Sequence, residues 1–319
     1  MRSSSSANRT ALRLFLINVA FVVAGLVVYF VLTAGIIATG SFDPSDLAKT
    51  IETTTGRQLS RLSAMLSNLL PFAGASVAAF YVVYRSRWSA AAGLDRRPAA
   101  NSIFWSVLFF VVALPLVGYL AYENLQLELP DWAQASEDNN DEILKGILQM
   151  DNVGEFLVAF LTVAVTPALG EELLMRGVLQ RRVFQVWFGN AHAAIWVAAF
   201  LFSFVHFEFG GFAPRMLLGG LLGYAYYWSN SLWVPVGLHL AFNGLQVITA
   251  YVTGEFDPTA DASDAISPWI GLGSLLAAVV VFYLANGRFD RVDTDDPFRE
   301  VAVEEDIIDD GWLEEDDRR

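Results

Sequence analysis

The chain has 319 residues, of which 55% are hydrophobic and only 17% are charged, and its mean hydropathy is +0.44. Soluble domains usually carry about a quarter charged residues, so this composition excludes an ordinary soluble protein and is typical of a membrane protein. The net charge of −14 argues against nucleic-acid binding, which requires a basic face, and the absence of cysteine excludes disulfides and thiolate sites.

Eight apolar runs follow one another along the chain, each near the roughly 20 residues that cross a bilayer. They lie at 14–39, 63–84, 102–122, 154–180, 191–209, 212–229, 231–252 and 267–286. The sequence therefore predicts an all-α polytopic membrane protein with about eight transmembrane helices. The first run is too long for a signal-peptide core, so we expect a retained anchor. The short turns between the fifth, sixth and seventh runs predict that these helices pack as neighbours.

The charges between the runs predict an orientation. With a cytoplasmic N-terminus, eleven basic residues lie inside, namely Arg2, Arg9, Arg13, Arg85, Arg87, Arg96, Arg97, Arg181, Arg182, Arg288 and Arg291, against Lys49, Arg57, Arg61, Lys145 and Arg215 outside. The positive-inside rule then favours a multi-pass protein of the cell membrane with both termini cytoplasmic.

Five parts of the chain follow from this orientation. They are a cytoplasmic N-terminus (1–13), helices one to three (14–122), an acidic extracytoplasmic loop (123–153), helices four to eight (154–286) and an acidic cytoplasmic tail (287–319). The tail holds 14 acidic and five basic side chains, so we expect it to be a solvated appendage. No internal repeat is visible, which gives an inverted-repeat transporter no support.

Ionisable residues inside a spanning segment are costly and mark functional sites, and this chain has very few of them. Most of them fall in three short segments of the fourth, fifth and seventh runs, and every other run is nearly free of charge. The segments are Glu171-Glu172-xxx-Arg176, Phe202-xxx-His206 and His239-xxx-Asn243. The sequence therefore predicts one functional cluster built from these three helices.

Helical spacing predicts how these side chains are arranged. Glu172 and Arg176 are four residues apart and share a face, so we expect an ion pair. Glu171 is rotated by about 100° from Glu172 and is free to face another helix. His239 and Asn243 project from one side of the seventh helix. The expected set is therefore one ion pair, one spare carboxylate, two imidazoles and one carboxamide.

These groups are the parts of a hydrolytic site that activates water. Burial among apolar helices makes a carboxylate a stronger base, and a histidine can orient the water or protonate the leaving amine. Asn243 and a protonated His239 can donate hydrogen bonds to a developing oxyanion. Peptide hydrolysis is therefore feasible without a serine or cysteine nucleophile.

Each segment alone also has a structural explanation. Glu172 with Arg176 is by itself a buried ion pair, and His206 near a helix end is an interfacial histidine. His239 with Asn243 is a polar clamp between helices. The occurrence of all three on adjacent spans favours the functional explanation.

Three other features are expected to be structural. His192 lies at the start of the fifth run and is expected to be interfacial. The segment Gly219-Gly-Leu-Leu-Gly223 is expected to be a small-residue packing face. A dyad of Ser203 and His206 fits the spacing, but it leaves both glutamates without a role.

In this order and on these spans, the three segments resemble the motifs of the CAAX prenyl protease and bacteriocin-processing family of intramembrane endopeptidases, in particular its type II CAAX proteases. The resemblance covers roughly residues 154–250. It implies a multi-helix membrane protease with its catalytic cluster on helices four, five and seven. One branch of this family removes the last three residues of prenylated CAAX proteins, and others process bacteriocins or confer immunity to them.

The resemblance implies catalytic roles for Glu171, His206, His239 and Asn243, and supporting roles for Glu172, Arg176 and Phe202. Glu171 is then the general base and His206 its partner on the attacking water. His239 and Asn243 form the oxyanion side.

The cofactor stays open at this point. A glutamate mechanism requires none and is slightly favoured, whereas a divalent metal such as zinc would find a three-ligand set in Glu171, His206 and His239, as in a metalloprotease. The expected partners are the lipid bilayer and a prenylated or membrane-associated peptide. The alternative function is a non-catalytic membrane scaffold or bacteriocin-immunity-like protein. A proton-coupled transporter is less favoured.

Overall fold

The computed structural model describes residues 2–40, 47–254 and 266–289. These ranges contain ten helices: α1 (Arg2–Ala38), α2 (Leu47–Ile51), α3 (Thr54–Ala92), α4 (Ala100–Leu125), α5 (Asp131–Leu148), α6 (Val153–Phe188), α7 (Ala191–Phe204), α8 (Phe212–Ser229), α9 (Trp233–Thr253) and α10 (Pro268–Phe289). The described residues form no strand, which confirms the all-α prediction. Nearly all of the acidic tail lies outside the described residues.

Five of the described helices are long and apolar enough to cross a membrane, namely α1 from Ser6 to Ala38, α3, α4, α6 and α10. The 14 residues of α7 are apolar but span only about 21 Å. Helices α8 and α9 carry polar groups such as Arg215 and His239, which lower their hydropathy. Each predicted run contains a helix, but the count of eight membrane spans stays a prediction.

The predicted acidic loop contains the amphipathic helix α5. Pro130 precedes its first turn, and Asp131 places a negative charge at the positive end of the helix dipole. The helix buries Ala133, Ile147 and Leu148 against the rest of the molecule. The segment 123–153 is therefore an ordered cap over one end of the helix bundle.

Helix α6 lies at the centre of the bundle, and α3 and α9 are aligned with it along their length. Helix α3 runs parallel to it, as three side-chain contacts along the two helices show. These are Arg57 with Glu155, Asn68 with Glu171, and Arg182 over the ring of Tyr84. Helix α9 runs antiparallel to α6, with Phe156 near Tyr251 and Glu172 near His239. The middle of α6 is therefore flanked by polar groups from two other helices.

A buried ionic cluster fixes the beginnings of α3 and α6. Glu155 accepts hydrogen bonds from Arg57 Nε and Arg61 Nη1, each at 3.0 Å, and Arg57 also pairs with Asp151. Arg61 donates to the Ile147 carbonyl at 2.9 Å and so ties α5 to the same point. Because the buried charges are paired and hydrogen-bonded, the cluster fastens three helices together at this end.

Small residues allow α7 and α8 to pack closely, as the sequence predicts. A Cβ added to Gly219 would lie 3.1 Å from Ala199, and one added to Gly223 would lie 2.7 Å from Ile195. The carbonyls of these glycines accept from α6, with Arg176 bound to Gly219 and Gln180 bound to Gly223. The packing face therefore brings α7 and α8 against the central helix.

Two prolines coincide with π-helical turns beside the polar segment of α6. Pro71 lies inside the turn Leu69–Gly74 of α3, and Pro167 follows the turn Leu161–Val165 of α6. Proline lacks the N–H that closes an α-helical turn, and its ring crowds the carbonyl four residues earlier. Wider turns relieve this crowding, and such turns are frequent at functional sites.

Candidate active site

The buried ion pair predicted from the i,i+4 spacing is present at the centre of the bundle. Arg176 Nε lies 3.0 Å from Glu172 Oε2, and the two side chains are 1% and 0% exposed. His239 Nδ1 lies 2.8 Å from the other oxygen of Glu172. Since a carboxylate only accepts, Nδ1 carries the proton, and Glu172 fixes both the ring orientation and the tautomer of His239.

Glu171 faces a different pair of neighbours, as its rotation from Glu172 predicts. Asn68 Nδ2 of α3 donates to its Oε1 at 3.0 Å, and its Oε2 lies 3.9 Å from His239 Nε2. That gap is too long for a hydrogen bond, and a water molecule placed to one side can bridge the two atoms. With its Nδ1–H held by Glu172, a neutral His239 presents an acceptor nitrogen toward Glu171.

The Phe202 ring contacts both histidines. Its ring centroid is 5.1 Å from that of His206 and 6.1 Å from that of His239, both edge-on, and the Arg176 guanidinium lies 5.0 Å from the same ring. His206 Nδ1 donates to the Phe202 carbonyl at 2.7 Å, which leaves Nε2 as the acceptor of a neutral ring. Phe202 therefore contacts both histidines and the guanidinium of the buried ion pair.

Asn243 compensates for the proline in α6. Pro167 cannot donate to the Val163 carbonyl, which lies four residues earlier, and Asn243 Nδ2 donates to that carbonyl instead, at 3.0 Å. The amide keeps one further N–H and its oxygen. The structure therefore brings Asn243 to α6 at Val163, eight residues before Glu171.

The loop that follows His206 is held by α4, α5 and α8. Asn124 donates to the Phe209 carbonyl at 2.5 Å, and Gly210 N donates to Glu137 at 2.6 Å. Glu208 pairs with Arg215 in the first turn of α8. Phe207, next to His206, has a positive φ of 51°, which is rare for an aromatic residue and marks local strain.

The surroundings of this loop are charged. Burial raises the pKa of Asp141 in α5; Lys145 opposes the rise, whereas Glu208 and Glu137 add to it. Arg215, in the first turn of α8, pairs with Glu208, which lies two residues after His206. The His206 end of the site is therefore close to charged side chains, whereas the Glu172 end is enclosed.

The donors of the proposed metal set do not form a metal centre in this arrangement. Among the described residues, no group of three or more His, Asp and Glu side chains could hold a metal ion. Glu172 and Asn68 occupy His239 Nδ1 and Glu171 Oε1, and the two atoms that face each other, His239 Nε2 and Glu171 Oε2, are 3.9 Å apart. We therefore derive no catalytic step through a metal.

Two alternatives from the sequence are placed outside the cluster. The buried Ser203 hydroxyl donates to the Phe212 carbonyl at 2.7 Å, so it stabilises the start of α8. His192 Nδ1 lies 3.0 Å from the Tyr224 hydroxyl, within an aromatic group that also includes Tyr227 and Phe282. His192 is thus part of a packed cluster and not only interfacial.

Asn68 is the neighbour of Glu171 that the sequence does not single out. It is 93% buried and lies in the second apolar run, three residues before Pro71. Its side chain is a neutral amide, so the pattern of ionisable residues does not include it. The sequence feature that could have indicated Asn68 is an asparagine three residues before a proline within a predicted span.

The comparisons with known proteins agree with the resemblance seen in the motifs. Residues 153–245 match the family described as type II CAAX prenyl endopeptidase Rce1-like, which confirms that resemblance. An uncharacterised protein of Bacillus subtilis (strain 168), YpbD, is 30% identical over 92 residues, which are 28% of this chain and 42% of that protein. The match thus spans less than half of the relative. The comparison with solved structures gave no match.

Proposed function

We propose that the protein is an intramembrane endopeptidase that hydrolyses peptide bonds with a water molecule activated by Glu171. The position of His239 carries this proposal. Its Nδ1 is fixed by Glu172 at 2.8 Å, and its Nε2 lies 3.9 Å from Glu171 Oε2. A fixed imidazole opposite a second carboxylate, both in apolar surroundings, suits a bound nucleophilic water.

In the proposed mechanism Glu171 takes one proton from the water as its oxygen attacks the peptide carbonyl. His239 orients that water, and its position is maintained by Glu172 and Arg176. The negative charge on the carbonyl oxygen is stabilised by donors that include the second N–H of Asn243. Collapse of the intermediate breaks the C–N bond, and the proton held by Glu171 passes to the leaving amine. The products are one carboxylic acid, which passes its proton to the amine or to water, and one amine, with one water consumed.

The proposed substrates are prenylated CAAX-type or other membrane-associated peptides cleaved near the C-terminus. The family match over 153–245 supports this class, and so do the apolar helices around the site. A prenyl group gains about 0.8 kcal/mol per buried methylene from the bilayer. It therefore stays in lipid and presents the peptide from the side.

Cleavage of a farnesylated CAAX peptide by the purified full chain tests this function. We expect release of the C-terminal tripeptide, and we expect the same peptide without its lipid to be cleaved much more slowly, because it does not concentrate in the membrane. Mass spectrometry of the products identifies the bond. Equal rates for both peptides would remove the prenyl assignment and leave a protease of other membrane peptides.

The second candidate function is a non-catalytic scaffold or bacteriocin-immunity-like protein. Two contacts favour it, since Asn243 satisfies the Val163 carbonyl and His206 is bonded to the Phe202 carbonyl near the end of α7. In that case these residues stabilise the bundle only. Absence of cleavage by folded wild-type protein, across lipidated and unlipidated peptides, would favour this function.

We further propose that both termini are cytoplasmic and that the cap 123–153 is extracytoplasmic. The basic residues support this orientation, and residues 1–13, 14–122, 154–286 and 287–319 then form the remaining parts. A single cysteine introduced in α5 of this cysteine-free chain should react with an impermeant maleimide from outside intact cells, and one placed after Arg291 only after lysis. The reverse labelling pattern would invert the orientation.

A further inference from the structure

Asn68 bonds directly to the carboxylate proposed as the general base, although it lies outside the region that matches the protease family. Its Nδ2 donates to Glu171 Oε1 at 3.0 Å, from α3 across to α6. The matching region comprises residues 153–245, so nothing in that match assigns a role to Asn68.

The backbone is shaped to permit this contact. A Cβ on Gly170 would collide with Asn68 Oδ1 and would lie 3.3 Å from the Ala73 nitrogen. The π-helical turn Leu69–Gly74 begins immediately after Asn68. Glycine on one helix and a widened turn on the other therefore bring the amide beside the residue that precedes the base.

The amide is also incompletely satisfied. Asn68 is 7% exposed, and its buried Oδ1 has no hydrogen-bond partner among the described residues. An apolar side chain of similar shape would avoid the unmet acceptor but would leave Glu171 Oε1 without its donor. The contact that it does make is the one to Glu171.

We propose that Asn68 is a positioning residue for the proposed hydrolysis: it holds Oε1 of Glu171 so that Oε2 faces His239 and the water between them. The inference rests on the proposed function for its catalytic consequence. The hydrogen bond to the carboxylate can be tested without any turnover.

The kinetic test compares Asn68→Leu with Asn18→Leu, using a farnesylated CAAX peptide. Asn18 is a matched control because it is also a buried asparagine, in α1, with one amide atom that has no partner among the described residues. That atom is Nδ2 in Asn18 and Oδ1 in Asn68. We expect Asn68→Leu to lower kcat by about 10- to 100-fold with little change in KM, since a misdirected base slows the chemical step. Asn18→Leu should keep the wild-type kcat. A wild-type kcat in folded Asn68→Leu would overturn the proposal.

Gly170 provides a second kinetic test through a double-mutant cycle. Gly170→Ala alone should lower kcat because it displaces Asn68, whereas in an Asn68→Ala background it should cost little more. Additive losses would mean that Gly170 acts independently of Asn68 and would count against the proposed arrangement.

Infrared difference spectroscopy tests the contact itself. The carboxylate bands of Glu171, assigned by their loss in Glu171→Gln, should shift in Asn68→Leu and stay in place in Asn18→Leu. Unshifted bands would overturn the inference even if the protease is active. Shifted bands in a protein that cleaves no peptide would sustain the contact and reject the proposed function.

Discussion

Glu171→Gln is expected to reduce peptide cleavage by about 10²- to 10⁴-fold while the protein remains folded. Glutamine has nearly the same shape and can still accept the hydrogen bond from Asn68, but it cannot take a proton from water. The carboxylate is 12% exposed, and among the described residues its ion-pair contact is to His239 at 3.9 Å, whose Nδ1 is held by Glu172, so its loss leaves the Glu172–Arg176 pair in place. Rates should be measured with purified protein, and the thermal unfolding temperature of the variant should match that of the wild type.

Glu172→Gln is the contrasting variant. It removes the negative charge beside Arg176, which is 1% exposed, and leaves a buried cation without its counter-ion. Breaking such a pair costs about 3–5 kcal/mol, so this variant should lose stability first and activity as a consequence. Normal turnover by folded Glu171→Gln would contradict the assignment of the base, whatever Glu172→Gln does.

Local spacing predicts the parts of the site that lie on one helix. The Glu172–Arg176 pair and the separate direction of Glu171 both follow from helical periodicity, because these residues share α6. The small-residue face of α8 is predicted in the same way, from glycines close in sequence. In these cases, the side-chain directions follow from the periodicity of one helix, and the close approach of two helices follows from the small residues on one of them.

Contacts between helices were harder to predict, because nothing in the sequence sets the register of one helix against another. The bond of His239 to Glu172 and not to Glu171 depends on the alignment of α9 with α6. The bond of Asn243 to Val163 depends on a carbonyl left open by Pro167. The ionisable pattern does not indicate Asn68, because an amide is not ionisable, and hydropathy does not indicate α5, because its segment is polar and acidic.

The two histidines are expected to matter for different reasons. His239→Ala removes the side chain that Glu172 and Arg176 hold opposite Glu171, so cleavage should fall by about 10²- to 10³-fold. His206→Ala removes an imidazole whose Nδ1 is tied to the Phe202 carbonyl, so only its Nε2 remains to contact the substrate or the water. We expect a similar loss at His206.

His192→Ala is the control for both variants, since it changes the same residue type in an aromatic cluster away from the site. It should retain wild-type cleavage of the farnesylated peptide. An added chelator should leave the wild-type rate unchanged if Glu171 and His239 activate the water directly, whereas inhibition that zinc reverses would require a metal mechanism. Full activity of both His206→Ala and His239→Ala would remove proteolysis from this site, because neither imidazole would then take part in cleavage, and the scaffold function would explain the buried polar contacts.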